Sequence, residues 1–252
     1  TGIPAGATIS SITDSTHFEL SASTTGGNLT GQTLTFWSNT GDYNIAIGSY
    51  ALDATTTGNA NVAIGYQAGS AINTGYSNVI VGRGAGVAFT DNADNIAIGA
   101  YALDAATGGE MSNVAIGTNA LGTENSNADG CVAIGHNALL NQNRDASKNT
   151  AIGYNALNAL GGSVTYGGVR NTAVGYEAGG AGAFGGSVDG NGDDNTMVGR
   201  SAGKAITTGY VNTIVGSAAG AALTTGYSNV LLGKSAGANF TDNHNNIAIG
   251  KG

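Results

Sequence analysis

Apolar residues in this chain follow no helical period. They recur as a three-residue core inside a pentad that opens on Asn and closes on Gly. Twelve pentads occur: Asn44–Gly48, Asn61–Gly65, Asn78–Gly82, Asn95–Gly99, Asn113–Gly117, Cys131–Gly135, Asn149–Gly153, Asn171–Gly175, Asn195–Gly199, Asn212–Gly216, Asn229–Gly233 and Asn246–Gly250. Asn opens eleven of them. The glycines are separated by 17, 17, 17, 18, 18, 18, 22, 24, 17, 17 and 17 residues. Taking the Asn as position 1, an Ala stands at position 8 of each of the first eleven units, from Ala51 to Ala236, and position 9 is always Leu or Gly.

A step of 17 is too short for helix-pair repeats or propeller blades and suits one turn of a β-solenoid. β-Branched residues dominate positions 2 and 4, so the pentad is the first strand of each turn, and the segment around positions 6–9 is expected to be a second short extended piece. Turn sequences such as Thr74-Gly75-Tyr76-Ser77 and Thr225-Gly226-Tyr227-Ser228 separate the units, their Gly suited to a positive φ. Stacked at about 4.8 Å, twelve rungs give a rod of roughly 55 Å. The Asn column then becomes a ladder of side-chain amides bonded rung to rung. Cys131, which interrupts it, reads as a small buried thiol.

Positions 2 and 4 face one side of an extended strand and position 3 the other. Position 3 is Ala in eight copies and Ile80, Met197, Ile214 or Leu231 in the rest, while positions 2 and 4 are Ile, Val or Thr with one Leu. Both faces are apolar, and a single thin solenoid covers only its inner one. The other face therefore calls for partner chains; three around one axis is the natural closed arrangement, and two is also allowed.

Residues 1–40 lie outside the repeat and form the first of two domains, the solenoid occupying 41–252. Strand-like alternation at 7–12, 17–20 and 33–37, broken by turns at Asp14-Ser15 and Gly26-Gly27-Asn28, predicts a small β element that caps the first rung, with Trp37 packed at the junction.

Composition narrows the function. Only 10% of residues are charged, and 44 are Gly; regularly spaced Ile and Val argue that the glycines serve ordered turns. The net charge of −8, with no basic cluster along the sequence, disfavours nucleic acid and anionic membranes as partners. One cysteine excludes an intrachain disulfide framework. No stretch reaches the length of a membrane span, and no signal-peptide pattern opens the chain, which reads as a piece of something longer.

No catalytic motif is present, and the three histidines, His17, His136 and His244, are scattered, so the chain is not expected to be an enzyme and no cofactor is expected. The acidic candidates Asp53, Asp104 and Glu177 lie rungs apart rather than paired as a glycosidase needs. In Asp189-Gly190-Asn191-Gly192-Asp193-Asp194, oxygen ligands alternate as in a calcium loop, making Asp189, Asn191 and Asp193 the candidate calcium ligands, although no acidic residue closes a full twelve-residue loop. Thr90-Asp91-Asn92 and Thr241-Asp242-Asn243 read as turn caps. The adjacent long steps of 22 and 24 place insertions at 158–170 and 180–194 on neighbouring rungs. Their Tyr166, Arg170 and Phe184 make them the candidate receptor-binding surface. A flat, regular Thr array suited to ice or mineral is not sustained through every rung.

The pattern N-x-A-I-G-x-x-A resembles the left-handed parallel β-roll of trimeric autotransporter adhesin heads and related repeats in phage tail fibres. The variants at 149–157 (NTAIGYNAL) and 171–179 (NTAVGYEAG), with T-T-G-Y turns, look closer to the fibre type. The resemblance covers 44–252. It implies an all-β homotrimer on a virion or cell surface whose outer surface or tip holds a host glycan or protein receptor. The rungs are longer than the adhesin heads' usual repeat, and no stalk, neck or anchor barrel accompanies them.

Overall fold

Strand formation follows the pentads. A computed structural model describes residues 9–14, 17–20, 41–107, 109–123, 129–141, 147–159, 168–180 and 192–252. Two compact units divide the chain, Thr1–Ser38 and Asn39–Gly252. In the first, β1 (Ile9–Asp14) and β2 (His17–Leu20) pair antiparallel, with Ile12 opposite Phe18 and Asp14 opposite His17. The third expected strand at 33–37, with Trp37, lies outside the described residues.

The second unit is a parallel β-solenoid. Twelve strands occupy positions 2–4 of the twelve pentads: β3 (Ile45–Ile47), β4 (Val62–Ile64), β5 (Val79–Val81), β6 (Ile96–Ile98), β7 (Val114–Ile116), β8 (Val132–Ile134), β9 (Thr150–Ile152), β10 (Thr172–Val174), β11 (Thr196–Val198), β12 (Thr213–Val215), β13 (Val230–Leu232) and β14 (Ile247–Ile249). They form one sheet in sequence order, every pair parallel and in register, so β3 to β14 define rungs 1 to 12. No membrane-spanning helix, long and apolar enough, occurs among the described residues.

The closing Gly is required twice over. At Gly65 φ is +136°, and a Cβ would stand 2.6 Å from the carbonyl oxygen of Gly82 in the next rung. A side chain there meets both backbone strain and backbone atoms that cannot yield.

After that Gly the chain departs from expectation: positions 6–9 are stacked turns, not a second strand. Positions 7 and 9 adopt left-handed φ, as at Gln67 (55°), Gly69 (57°), Asn119 (54°) and Leu121 (53°). Stacking satisfies their amides without extension, Gln67 N–H donating to Ser49 O at 2.9 Å and Gly69 N–H to Ala85 O at 3.0 Å. The inter-unit turns also differ from expectation. The left-handed residue is the one before the Asn, Ser77 (56°) or Ser228 (53°), rather than Gly75 or Gly226. Gly75 is needed for space, since a Cβ would lie 2.5 Å from Asn92 O.

The core explains the alternation at position 9. Leu stands there in rungs 1 and 4–7, Gly in rungs 2, 3 and 8–11. In rungs 1 and 4, where Leu fills the interior, position 12 is small, Thr55 or Ala106. In rungs 2, 3 and 9–11, where Gly leaves it empty, Ile72, Phe89, Ile206, Leu223 or Phe240 enters from position 12; position 12 of rungs 5–8 lies outside the described residues. Position 3 obeys the same volume rule. It is large only where its own rung and the preceding one both carry Gly at position 9, at Ile80, Met197, Ile214 and Leu231. A Cβ on Gly69 would meet the Cδ1 atoms of Ile72 and Ile80, each at 2.9 Å.

Beside this core runs the expected amide ladder, buried over most of its length. The backbone N–H of Asn212 donates to Asn195 Oδ1 at 3.1 Å, while its Nδ2 donates to the same oxygen at 2.9 Å and to Gly226 O at 2.8 Å. Each Asn thus clips a neighbouring Asn and a turn carbonyl, which accounts for the residue type. Cys131 is buried and donates its N–H to Asn113 Oδ1 at 2.9 Å, but it has no carboxamide to offer onward. The turn caps form as read: Asn92 Oδ1 accepts from Thr90 N–H at 3.0 Å and Asn243 Oδ1 from Thr241 N–H at 3.3 Å.

Candidate functional site

The two faces of the sheet resolve differently. Position 3 points inward and is fully buried from Ala63 through Leu231. Positions 2 and 4 point outward, and Ile64, Ile98, Ile116, Ile152 and Val215 keep 36–37% of their surface. The outcome is a continuous line of half-exposed Ile, Val and Thr along the solenoid. Isolated surface apolar residues are ordinary, but a contiguous strip is a feature of interaction surfaces.

The long steps bring distant charges together. Arg170 immediately precedes the pentad of rung 8, and Asp193 and Asp194 precede that of rung 9. Arg170 binds Asp194 in bidentate fashion, Nε to Oδ1 at 2.7 Å and Nη2 to Oδ2 at 2.9 Å, and approaches Asp193 Oδ2 at 3.3 Å. Asp193, nearly buried, also accepts the Val169 N–H at 2.9 Å. The guanidinium bonds hold the Asp194 carboxyl below its usual range, outweighing partial burial. On the outgoing side of the second insertion, Lys204 Nζ lies 2.6 Å from Glu177 Oε2. That hydrogen bond lowers the Glu177 carboxyl, and Glu177 in turn raises the Tyr176 phenol by hydrogen bond and charge. Ion pairs therefore bracket residues 180–192 between rungs 8 and 9.

Of the candidate calcium ligands, Asp189 and Asn191 lie outside the described residues, and Asp193 faces a guanidinium and an amide. Of the candidate receptor surface, Tyr166 and Phe184 also lie outside, while Arg170 sits at a loop root. Among the described residues no group of three or more His, Cys, Asp or Glu gathers as a metal site. Asp53 and Asp104 share position 10 three rungs apart, about 14 Å at the strand spacing, with Glu177 on rung 8. Burial raises the Asp104 carboxyl above its usual range. These three carboxylates do not form a pair.

Stacking also aligns rings. His136, Tyr154 and Tyr176 at position 6 of rungs 6–8 lie parallel, with centroids 5.2 and 5.4 Å apart. Tyr210, Tyr227 and His244 form a second such ladder at 4.9 and 4.7 Å, two residues before the Asn. Reading the histidines only as scattered along the sequence missed these ladders, although the repeat spacing carried the signal.

No protein-family model, curated protein or solved structure matches the chain.

The geometry alone therefore speaks for what the surface does. It offers an apolar strip, one rung junction held by two ion pairs, and columns of side chains repeated at the strand spacing. Such an array presents groups in line.

Proposed function

We propose that this chain is a structural fibre segment on a virion or cell surface, a left-handed β-roll that assembles as a homotrimer and attaches to host glycans or protein receptors without catalysing a reaction. The observation that carries the reading is the outward line of half-exposed β-branched residues. Leaving it in water forfeits roughly 25 cal/mol per Å² of apolar surface, and parallel copies around one axis would cover it along its whole length. The T-T-G-Y turns favour a virion fibre over the alternative, a trimeric autotransporter-type adhesin head. A tailspike glycosidase is less well supported because the carboxylates named above stand apart, and an ice-binding solenoid because Thr occupies the outward position 2 only at Thr150, Thr172, Thr196 and Thr213. Calcium at Asp189, Asn191 and Asp193 remains an accessory proposal, tested by calcium titration of the melting temperature.

Sedimentation equilibrium tests the assembly. The expected mass is three times the 24.6 kDa chain, and replacing Val114 and Ile116 with Asp should yield monomers. A stable wild-type monomer would sink the reading. Glycan-array binding before and after trimming 158–170 and 180–194 tests attachment at the insertions.

A further inference from the structure

The repeat gathers cations that the linear sequence disperses. Position 6 of rungs 6–12 reads His136, Tyr154, Tyr176, Arg200, Ser217, Lys234 and Lys251. All of these except half-buried Ser217 are exposed. Arg83 at position 6 of rung 3 joins the same line, so four of the eight Lys and Arg residues occupy one column. No acidic residue holds position 6 in any of the twelve rungs. The adjacent carboxylate, Glu177 at position 7, is tied to Lys204.

We infer that this column, between rungs 6 and 12, is a binding track for a linear acidic polysaccharide lying along the solenoid. The inference rests on the surface-attachment reading above and names its ligand class. The track spans six rung intervals, about 29 Å. An extended glycan advances by close to one rung per sugar, so carboxylates can meet Arg200, Lys234 and Lys251 while ring hydroxyls meet the edges of the stacked rings. A guanidinium offers fork-like donors to a carboxylate, and the lysines serve as point charges. Net negative charge elsewhere does not forbid this, because at physiological ionic strength interactions between exposed charges fade beyond about 8 Å. Single-stranded nucleic acid fits less well. Its binding uses open aromatic faces, whereas His136 and Tyr176 cover both faces of Tyr154.

The test is titration of the full chain with a galacturonate oligosaccharide long enough to span the track, beside a neutral malto-oligosaccharide and oligothymidine of similar length. Galacturonate should bind most tightly. Combined Arg200→Gln, Lys234→Gln and Lys251→Gln should weaken it by about tenfold or more, Tyr154→Ala with Tyr176→Ala by a few fold, and Lys148→Gln, off the track, should leave it unchanged. Absence of galacturonate binding, equal binding of the neutral glycan, or oligothymidine binding that is tighter and indifferent to the tyrosines overturns the inference. Sedimentation of the same samples separates the two readings. A monomer that binds galacturonate defeats the trimer and leaves the track, whereas a trimer that ignores it defeats the track alone.

Discussion

Rungs 5 and 10 enclose their interiors by different means. Rung 5 sends Leu121 inward from position 9 and keeps Ala115 in its strand; rung 10 has Gly220 at position 9 and fills the space with Ile214 and Leu223. The backbone at position 9 is left-handed in both, φ 53° at Leu121 and 52° at Gly220. Gly is thus not there for its conformational freedom, since Leu adopts the same angle. It is there because its neighbours occupy the volume. What these two rungs share is filled space, and the residue supplying it is interchangeable as long as the others adjust.

The sharpest way to break the equivalence is to empty a Leu rung. Leu121→Ala removes a fully buried side chain with Ala on both flanking strands, and should cost about 3–4 kcal/mol in denaturant unfolding. Overfilling a Gly rung is the converse. Gly69→Leu should cost about 2–3 kcal/mol, and adding Ile72→Thr and Ile80→Ala, which recreates a Leu rung, should recover most of it. If the triple variant is no more stable than the single one, volume exchange is not the rule.

The Asn ladder passes through both rung types unchanged, and Cys131→Asn would complete it. Two further hydrogen bonds of ordinary strength should raise stability by about 1 kcal/mol, read as a higher midpoint in thermal melts. The ion pairs give the smallest effect. The folded-state carboxyls of Asp194 and Glu177 lie below their usual range, so their contribution is present above the ordinary carboxylate pKa of about 4. It fades as pH falls through the lowered values. Asp194 and Arg170 are 43% and 51% exposed, and solvent screening holds that pair to about 0.5 kcal/mol. Melts from pH 7 to pH 2 should show a decline below about pH 4 that Arg170→Gln makes shallower.

The pentad strands were legible because each is written within a few adjacent residues, and the Asn ladder because one residue type recurs at the first position of nearly every pentad. The exchange among positions 3, 9 and 12 was not, since Gly69, Ile72 and Ile80 meet only after one rung is stacked on the next. The turns at positions 6–9 were misread as extended because left-handed φ at Tyr50, Tyr101 or Leu121 leaves no mark in residue type. At the candidate site, Arg170 and Asp193 were named for separate roles, receptor contact and calcium. The pairing spans 23 residues, beyond any local motif. The cationic column escaped for the same reason, its members being dispersed along the chain.

The carboxamides of the Asn column all hand their hydrogen bonds along the axis in one sense, much as links in a cable. Cys131 divides that cable into a run of five amides and a run of six. Pulled from its ends, the rod is expected to part first between rungs 5 and 7, where a thiol replaces the link. A solenoid built this way has a designated breaking point, and force spectroscopy should find its first rupture there.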